Sequence, residues 1–206
     1  SEMKKYQAVG WVNMVRRYFP IYQNIKNMID QKEIIHISII MGDRGLGTVA
    51  IHYLDLFSWL AEDTNVNLSG EYLLEKIFPN KRDENFVEFK GTITGKIKNG
   101  SSFMITTIPD SDFPIVINIK NNSNFVIYDE LNMDMITQNS QSIKSDFEFE
   151  HVSSTTTKIV NDLLEKEECL LPKVEELYNI HSELFKIFNK HIKEKTGMTK
   201  EICPIT

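Results

Sequence analysis

Residues 42–61, Gly42-Asp43-Arg44-Gly45-Leu46-Gly47-Thr48-Val49-Ala50-Ile51-His52-Tyr53-Leu54-Asp55-Leu56-Phe57-Ser58-Trp59-Leu60-Ala61, join a glycine-marked loop to a helix. From about Thr48 to Ala61 the apolar residues Val49, Ala50, Ile51, Leu54, Leu56, Phe57 and Leu60 lie nearly all round, so this helix is expected to be buried on most sides. Polar residues on it are therefore conspicuous. Thr48, His52, Asp55 and Trp59 follow one another at spacings of four, three and four, which sets them along one face. A histidine exchanges its proton near neutral pH, and a carboxylate one turn on can fix its tautomer or raise its pKa. The same pair also serves as a satisfied core contact, and the glycine loop in front tips the reading toward a polar ligand at the helix start. The spacing Gly42, Gly45, Gly47 reverses the dinucleotide fingerprint, so the loop is read as a turn into the helix rather than a phosphate cradle.

Working outward, Ile34 to Met41 is an isoleucine-rich run expected to form a buried strand. Before it, Tyr6 to Met14 reads as a strand, Arg16-Arg17 follow it, and Pro20 opens a helix with a stripe of Ile21, Ile25, Met28 and Ile29. After the central helix the period changes to two. Val87, Phe89, Ile93 and Ile97 alternate between Phe86 and Lys98, Asn99-Gly100 marks a tight hairpin, and Ser102 to Ile108 returns. Ile115, Ile117 and Ile119, a turn at 121–124 and Phe125 to Tyr128 extend this into a meander of antiparallel strands. Two helices close the chain, one capped near Ser153-Ser154-Thr155 and reaching about Glu168, one opened by Pro172 and striped by Val174, Leu177, Tyr178, His181, Leu184, Phe185 and Phe188. The expected fold is α+β, a large, predominantly antiparallel sheet with helices packed on one face, forming one domain over 1–206.

Composition narrows function. A formal charge of −6 over 206 residues, without a basic patch, argues against nucleic acid or an anionic membrane as partner. Two cysteines, Cys169 and Cys203, fit a reducing cytoplasm, and five histidines without a His-x-x-x-His pair offer no zinc motif. No apolar run is long enough to span a bilayer, and the N-terminus lacks the layout of a signal peptide. A guanidinium from Arg16 or Arg17 could reach a phosphate, a carboxylate or sugar hydroxyls, or make a salt bridge.

The segment Gly10-Trp11-Val12-Asn13-Met14-Val15-Arg16-Arg17-Tyr18-Phe19-Pro20, with the helix and isoleucine strand after it, resembles the passage into the second domain of the glucose-fructose oxidoreductase, inositol dehydrogenase and rhizopine-catabolism (Gfo/Idh/MocA) family. Gly47-Thr48-Val49-Ala50-Ile51-His52-Tyr53-Leu54-Asp55-Leu56 is similar to that family's D-x-x-x-H-x-x-D helix, with Thr48 where many members carry the first aspartate. The closing part, from Asn161-Asp162 through Cys169-Leu170-Leu171-Pro172 to Cys203-Pro204-Ile205-Thr206, is similar to a subgroup linked to bacterial surface polysaccharides. The resemblance implies a C-terminal substrate-binding and dimerising domain, without the N-terminal Rossmann domain that holds NAD or NADP. It implies that the whole protein oxidises or reduces a sugar or sugar derivative while this piece alone is inactive. His52 would be the catalytic histidine relaying the sugar hydroxyl's proton, Thr48 and Asp55 would bind substrate or support the helix, and Arg16 or Arg17 would line the cleft. A homodimer through the sheet face is expected, because Met104, Ile108 and Val116 leave the second face too apolar to be simply wet. The alternative is a non-catalytic dimerisation or regulatory module derived from the same family, which Thr48 favours.

Overall fold

The computed structural model of the chain describes residues 2–6, 8–30, 32–137, 142–144 and 152–205. In chain order these form α1 (Glu2–Lys5), a 3-10 turn (Val15–Tyr18), α2 (Pro20–Met28), β1 (His36–Met41), α3 (Leu46–Ala61), β2 (Asn67–Leu73), β3 (Phe78–Pro79) and β4 (Val87–Glu88). There follow β5 (Gly91–Lys96), β6 (Ser102–Thr107), β7 (Val116–Lys120), β8 (Phe125–Asp129), β9 (Asp134–Thr137), β10 (Ser142–Lys144), α4 (Val152–Lys166) and α5 (Val174–Thr196). The fold is the α+β arrangement expected from the sequence. Among the described residues one sheet has eight strands in the order β10-β9-β8-β7-β1-β6-β5-β2, and β3 pairs with β4 alone.

Neighbouring pairs are antiparallel except β1 with β6, which run parallel. The sheet is thus not the simple meander read from residues 86–128. β1 enters between β6 and β7, matching Ile39 to Ile105 on one side and to Ile117 on the other. Local periodicity reports a strand's existence but not its neighbours, so this insertion left no mark in the alternation.

The pleat sorts the side chains. Ile37, Ile39, Met41, Ile93, Phe103, Ile105, Ile117, Ile119 and Val126 are buried on one face, in a core shared with α2, α3 and α5. The other face carries Thr94, Met104, Ser38, Asn118, Ile127 and Ile136 as laterally paired neighbours, all at least partly exposed. Asn99-Gly100 closes the β5–β6 hairpin as expected, with Gly100 at φ +99. Gly91 (φ +101) opens β5, where any side chain would run into the Tyr72 carbonyl.

Two readings are corrected. The stretch from Ala8 to Met14 is not a strand: it is irregular chain held by one bridge between Trp11 and Lys173 and by the Val12 N–H on the Pro172 carbonyl (2.9 Å). Tyr6 and Val9 are largely exposed there, and α5's approach offers only a short backbone contact, so aromatic and β-branched content finds no ladder to join. Arg16 and Arg17 consequently sit on a 3-10 turn rather than at a strand end. The strand β2, unread in the sequence, is an edge strand whose register slips between Ser69 and Tyr72.

Candidate functional site

α3 starts one residue after Gly45, and its first bonds run from the Thr48 and Val49 N–H groups to the Gly45 carbonyl. The Leu46 N–H is satisfied from outside, by the Phe89 carbonyl at 2.8 Å. The helix is therefore tied at its first turn to the strand segment after β4. Three polar groupings follow one another along it, the first partnered from β4 and the other two drawing on the 3-10 turn.

At the start, Thr48 donates its hydroxyl to Glu88, and Asn80 Nδ2 donates to the same oxygen, Oε1, at 3.1 Å. Glu88 is 7% exposed, and among the described residues its Oε2 has no hydrogen-bond partner. Gly45 and Gly47 make room for it, since a Cβ on either would press into the Glu88 carboxylate. The glycine spacing therefore seats a carboxylate from β4. It does not fit the pyrophosphate of a dinucleotide, because an anion already covers the helix start. Beside it, Asp43 is ion-paired with both Lys90 and Lys81. Those lysines hold its carboxyl below the usual range against a weaker opposing effect of burial. Asp43, Thr48, Asn80, Lys81, Glu88 and Lys90 line a cleft of about 390 Å³ between the α3 start and the β3–β4 pair.

One turn further on is His52. Burial lowers its pKa to about 4, helped by the nearby charges of Arg16 and His181 and opposed by Glu130. The imidazole is thus neutral at neutral pH. Because the folded value lies below the ordinary 6.5, the unfolded chain binds the extra proton between about pH 4 and 6.5. His52 therefore costs stability as pH falls through that window and has no effect above it. Among the described residues His52 makes no hydrogen bond or ion pair. Its neighbours are committed. Arg16 lies over the Tyr53 ring (4.2 Å), bonds the Tyr53 hydroxyl (2.9 Å) and pairs with Glu130 (3.2 Å). Tyr22 and Tyr53 both donate to Glu130. Burial opposes the Glu130 charge, but Arg16 and the two hydroxyls outweigh it and hold the carboxyl below its usual range.

Asp55 is fully buried, and one guanidinium takes both its oxygens: Arg17 Nε to Oδ2 at 3.2 Å and Nη2 to Oδ1 at 2.6 Å. It does not orient the His52 ring, as its i+3 spacing suggested. Instead it locks α3 to the 3-10 turn. Trp59, last of the four on the expected face, lies under the Lys26 ammonium, which also donates to the Trp59 carbonyl (2.7 Å).

Of the residues singled out in the sequence, the structure brings Thr48 to the cleft. His52 stands beside the Arg16–Glu130 cluster, and Arg16, Arg17 and Asp55 are engaged in ion pairs outside the cleft. Glu88, Glu130, Asn80 and Lys90 went unread. The signal for the first was available: a glutamate and a lysine around Phe89, in a segment whose alternation runs to apolar burial, opposite a loop with glycines at 45 and 47. Among the described residues no group of three His, Cys, Asp or Glu gathers as a metal site, and no helix is long and apolar enough to cross a membrane.

No protein-family model and no curated protein sequence matches the chain. Solved structures do. A dehydrogenase (MviM) from Clostridium difficile superposes with a TM-score of 0.64 at 21% identity, over 91% of this chain and 64% of that one. UDP-N-acetylglucosamine 3-dehydrogenase GnnA from Acidithiobacillus ferrooxidans gives 0.62 at 10% identity, over 90% and 62%. KijD10, a 3-ketoreductase from Actinomadura kijaniata in complex with NADP, gives 0.55 at 7%, over 81% and 56%. The chain therefore spans less than two thirds of the length of these oxidoreductases. At such identities the likeness is one of fold alone: the chain shares the fold of a part of these oxidoreductases.

Proposed function

We propose that the chain is the substrate-binding, C-terminal domain of an NAD(P)-dependent oxidoreductase acting on a sugar or sugar derivative in the cytoplasm, and that His52 carries its proton transfer. The observation behind this reading is the state of His52: a neutral, half-buried imidazole without a hydrogen-bond partner among the described residues, on a helix whose Thr48, Tyr53 and Asp55 are all engaged. A neutral ring nitrogen accepts a hydrogen bond from a sugar hydroxyl, takes its proton as the carbon becomes a carbonyl, and returns it in the reverse direction. Arg16 and Glu130 fix the field around the ring. The dinucleotide is assigned to a separate domain of the whole protein, since the glycine loop does not fit it. The whole protein, supplied with NAD or NADP and a panel of sugars and nucleotide sugars, turns one of them over, and His52→Ala lowers kcat about 10²-fold. Unchanged turnover in the variant favours the second reading, a dimerisation or regulatory module that has lost its chemistry, for which Thr48 in place of an aspartate speaks.

The open sheet face supplies the assembly proposal. Ile40 and Ile136 are 37% and 42% exposed there, and Met104, Val116 and Ile127 are half-buried between threonines. A second copy laid face to face covers this surface, giving a homodimer. Light scattering on the chain is expected to show about twice the 23.9 kDa of one copy, falling to one copy on Val116→Asp. A single-copy mass for the unaltered chain at tens of micromolar removes the dimer.

A further inference from the structure

A second cavity, of about 510 Å³, is lined by no residue of α3: it lies between the edge strand β2 and the last turns of α5. β2 shapes its mouth. The register slip between Ser69 and Tyr72 takes Gly70 and Glu71 out of the ladder with β5, and the Glu71 N–H turns back to the Ser69 hydroxyl at 3.3 Å. A bulged edge carrying a charge resists the addition of another strand, so what the slip leaves beside α5 is a pocket for a small molecule. α5 supplies the opposite wall from Ile187, Lys190, His191, Glu194 and Lys195, which share one helical face.

His191 gives the pocket its chemistry. The residue is 5% exposed, and its ring is fixed from two sides, by the edge-on contact with Phe89 and by a hydrogen bond to the Leu74 backbone. Burial lowers its pKa and outweighs that bond, so the imidazole is neutral at neutral pH. Among the described residues Nε2 has no partner. Nδ1 is therefore the nitrogen that donates to the Leu74 carbonyl, and Nε2 keeps a lone pair. A buried acceptor in this state is costly to leave unmet and takes an N–H or O–H from a ligand.

The rim holds a second acceptor. Lys190 pairs with Glu194 (3.7 Å) and Lys195 with Glu75 (3.0 Å), whereas Glu71 is exposed and makes no ion pair among the described residues. Three carboxylates, Glu71, Glu75 and Glu194, thus stand against two ammonium groups, and the unpaired one favours a cation. Leu68, Leu73 and Ile187 supply the apolar part of the lining. We propose that this pocket binds a small organic amine with a second donor a few carbon atoms away: the ammonium meets Glu71, the second N–H or O–H meets His191 Nε2, and the methylenes lie on Leu68, Leu73 and Ile187. The site stands on β2 and α5 alone, so it is independent of the role given to His52.

Calorimetric titration of the chain with 5-amino-1-pentanol, n-pentylamine and 1,5-pentanediol separates the two contacts, since each of the last two compounds lacks one of them. The amino alcohol is expected to bind about ten-fold more tightly than either. His191→Phe, which keeps a ring against Phe89 and removes the acceptor, is expected to bring the amino alcohol down to the affinity of pentylamine. Glu71→Gln is expected to bring it down to that of the diol. In the unaltered chain the nitrogen-15 resonance of His191 Nε2 is expected to shift as the amino alcohol is added, a reading that does not depend on how the variants fold. The site is overturned if the amino alcohol binds no more tightly than both analogues, if Nε2 does not respond, or if a folded His191→Phe chain binds as the parent does. Tighter binding of the diol than of either amine would point to a neutral polyol and overturn the amine. No binding of any of the three at tens of millimolar concentration would leave a water molecule as the partner of Nε2 and remove the pocket as a ligand site.

Discussion

Asp55→Ala is expected to lower stability by about 3–5 kcal/mol, read as a fall of roughly 10–15 °C in the thermal unfolding midpoint of a chain this size. Asp55 is 0% exposed and Arg17 is 7% exposed, and they are joined by a two-pronged guanidinium–carboxylate contact. Removing the carboxylate strands a permanently charged, largely buried guanidinium between α3 and the 3-10 turn. Glu176, at 3.7 Å from Nη1 and substantially exposed, can compensate only in part. The size of the effect measures the orphaned charge rather than the worth of the pair. The double change Arg17→Met with Asp55→Leu is therefore expected to recover most of the lost stability, since apolar residues of similar volume often replace a buried pair at little cost. A single Asp55→Ala that melts with the parent chain would show that Arg17 escapes to solvent, and that the pair does not fix α3.

Phe89→Ala is the second large effect, again about 3–5 kcal/mol. Phe89 stacks flat on Phe188 of α5, with ring centroids 4.2 Å apart and planes at 7°, and His191 meets its edge at 5.8 Å. Both rings are fully buried, so truncation leaves a cavity with rigid walls on the sheet side and a helix on the other. The same residue's carbonyl accepts the first amide of α3, and the residue before it is Glu88. Loss of the ring is thus felt at both ends. Hydrogen exchange is expected to speed up at residues 46–49 and along α5 around Phe188, well before β7 and β8 respond. Phe89→Leu, which refills most of the volume, is expected to lose less than half as much. Equal loss in the two variants would mean that ring stacking, not filled space, holds α5 down.

How far these contacts could be read beforehand depended on range along the chain. The helix at Pro20, the buried central helix, the Asn99-Gly100 hairpin and the two closing helices each have a local signature, a cap, a stripe or a turn, and the structure has them within a few residues. β2 has no such signature: Asn67-Leu68-Ser69-Gly70-Glu71-Tyr72-Leu73 carries a glycine, a charge and a register slip, because an edge strand need not alternate cleanly. The site shows the same division. His52 and Thr48 were visible as polar residues on an apolar helix. Their surroundings were not, because Glu88 lies 40 positions from Thr48 and Glu130 lies 77 from Tyr53. Spacing on one helix suggested that Asp55 serves His52. A partner 38 positions away, Arg17, takes the carboxylate instead, since a bidentate guanidinium outcompetes a neutral ring.

The insertion of β1 between β6 and β7 also sets the order in which the molecule can be made. β5 with β6, and β7 with β8 and β9, are joined by short turns and can pair as soon as they exist. β1 must wait for partners 66 to about 80 positions later, as His36 with Ser102 and Ile39 with Ile117 show. Contacts of that sequence separation are slow to close, so folding is governed by a late docking event rather than by the hairpins. Until then Ile37, Ile39 and Ile40 form a naked adhesive ribbon with both edges unpaired, which is the segment most exposed to self-association on the ribosome or after heating. Because α3 follows β1 directly, the helix that carries His52 is drawn into place by the same closure: a nascent chain cannot hold Tyr53 and Asp55 against their partners before the sheet is whole.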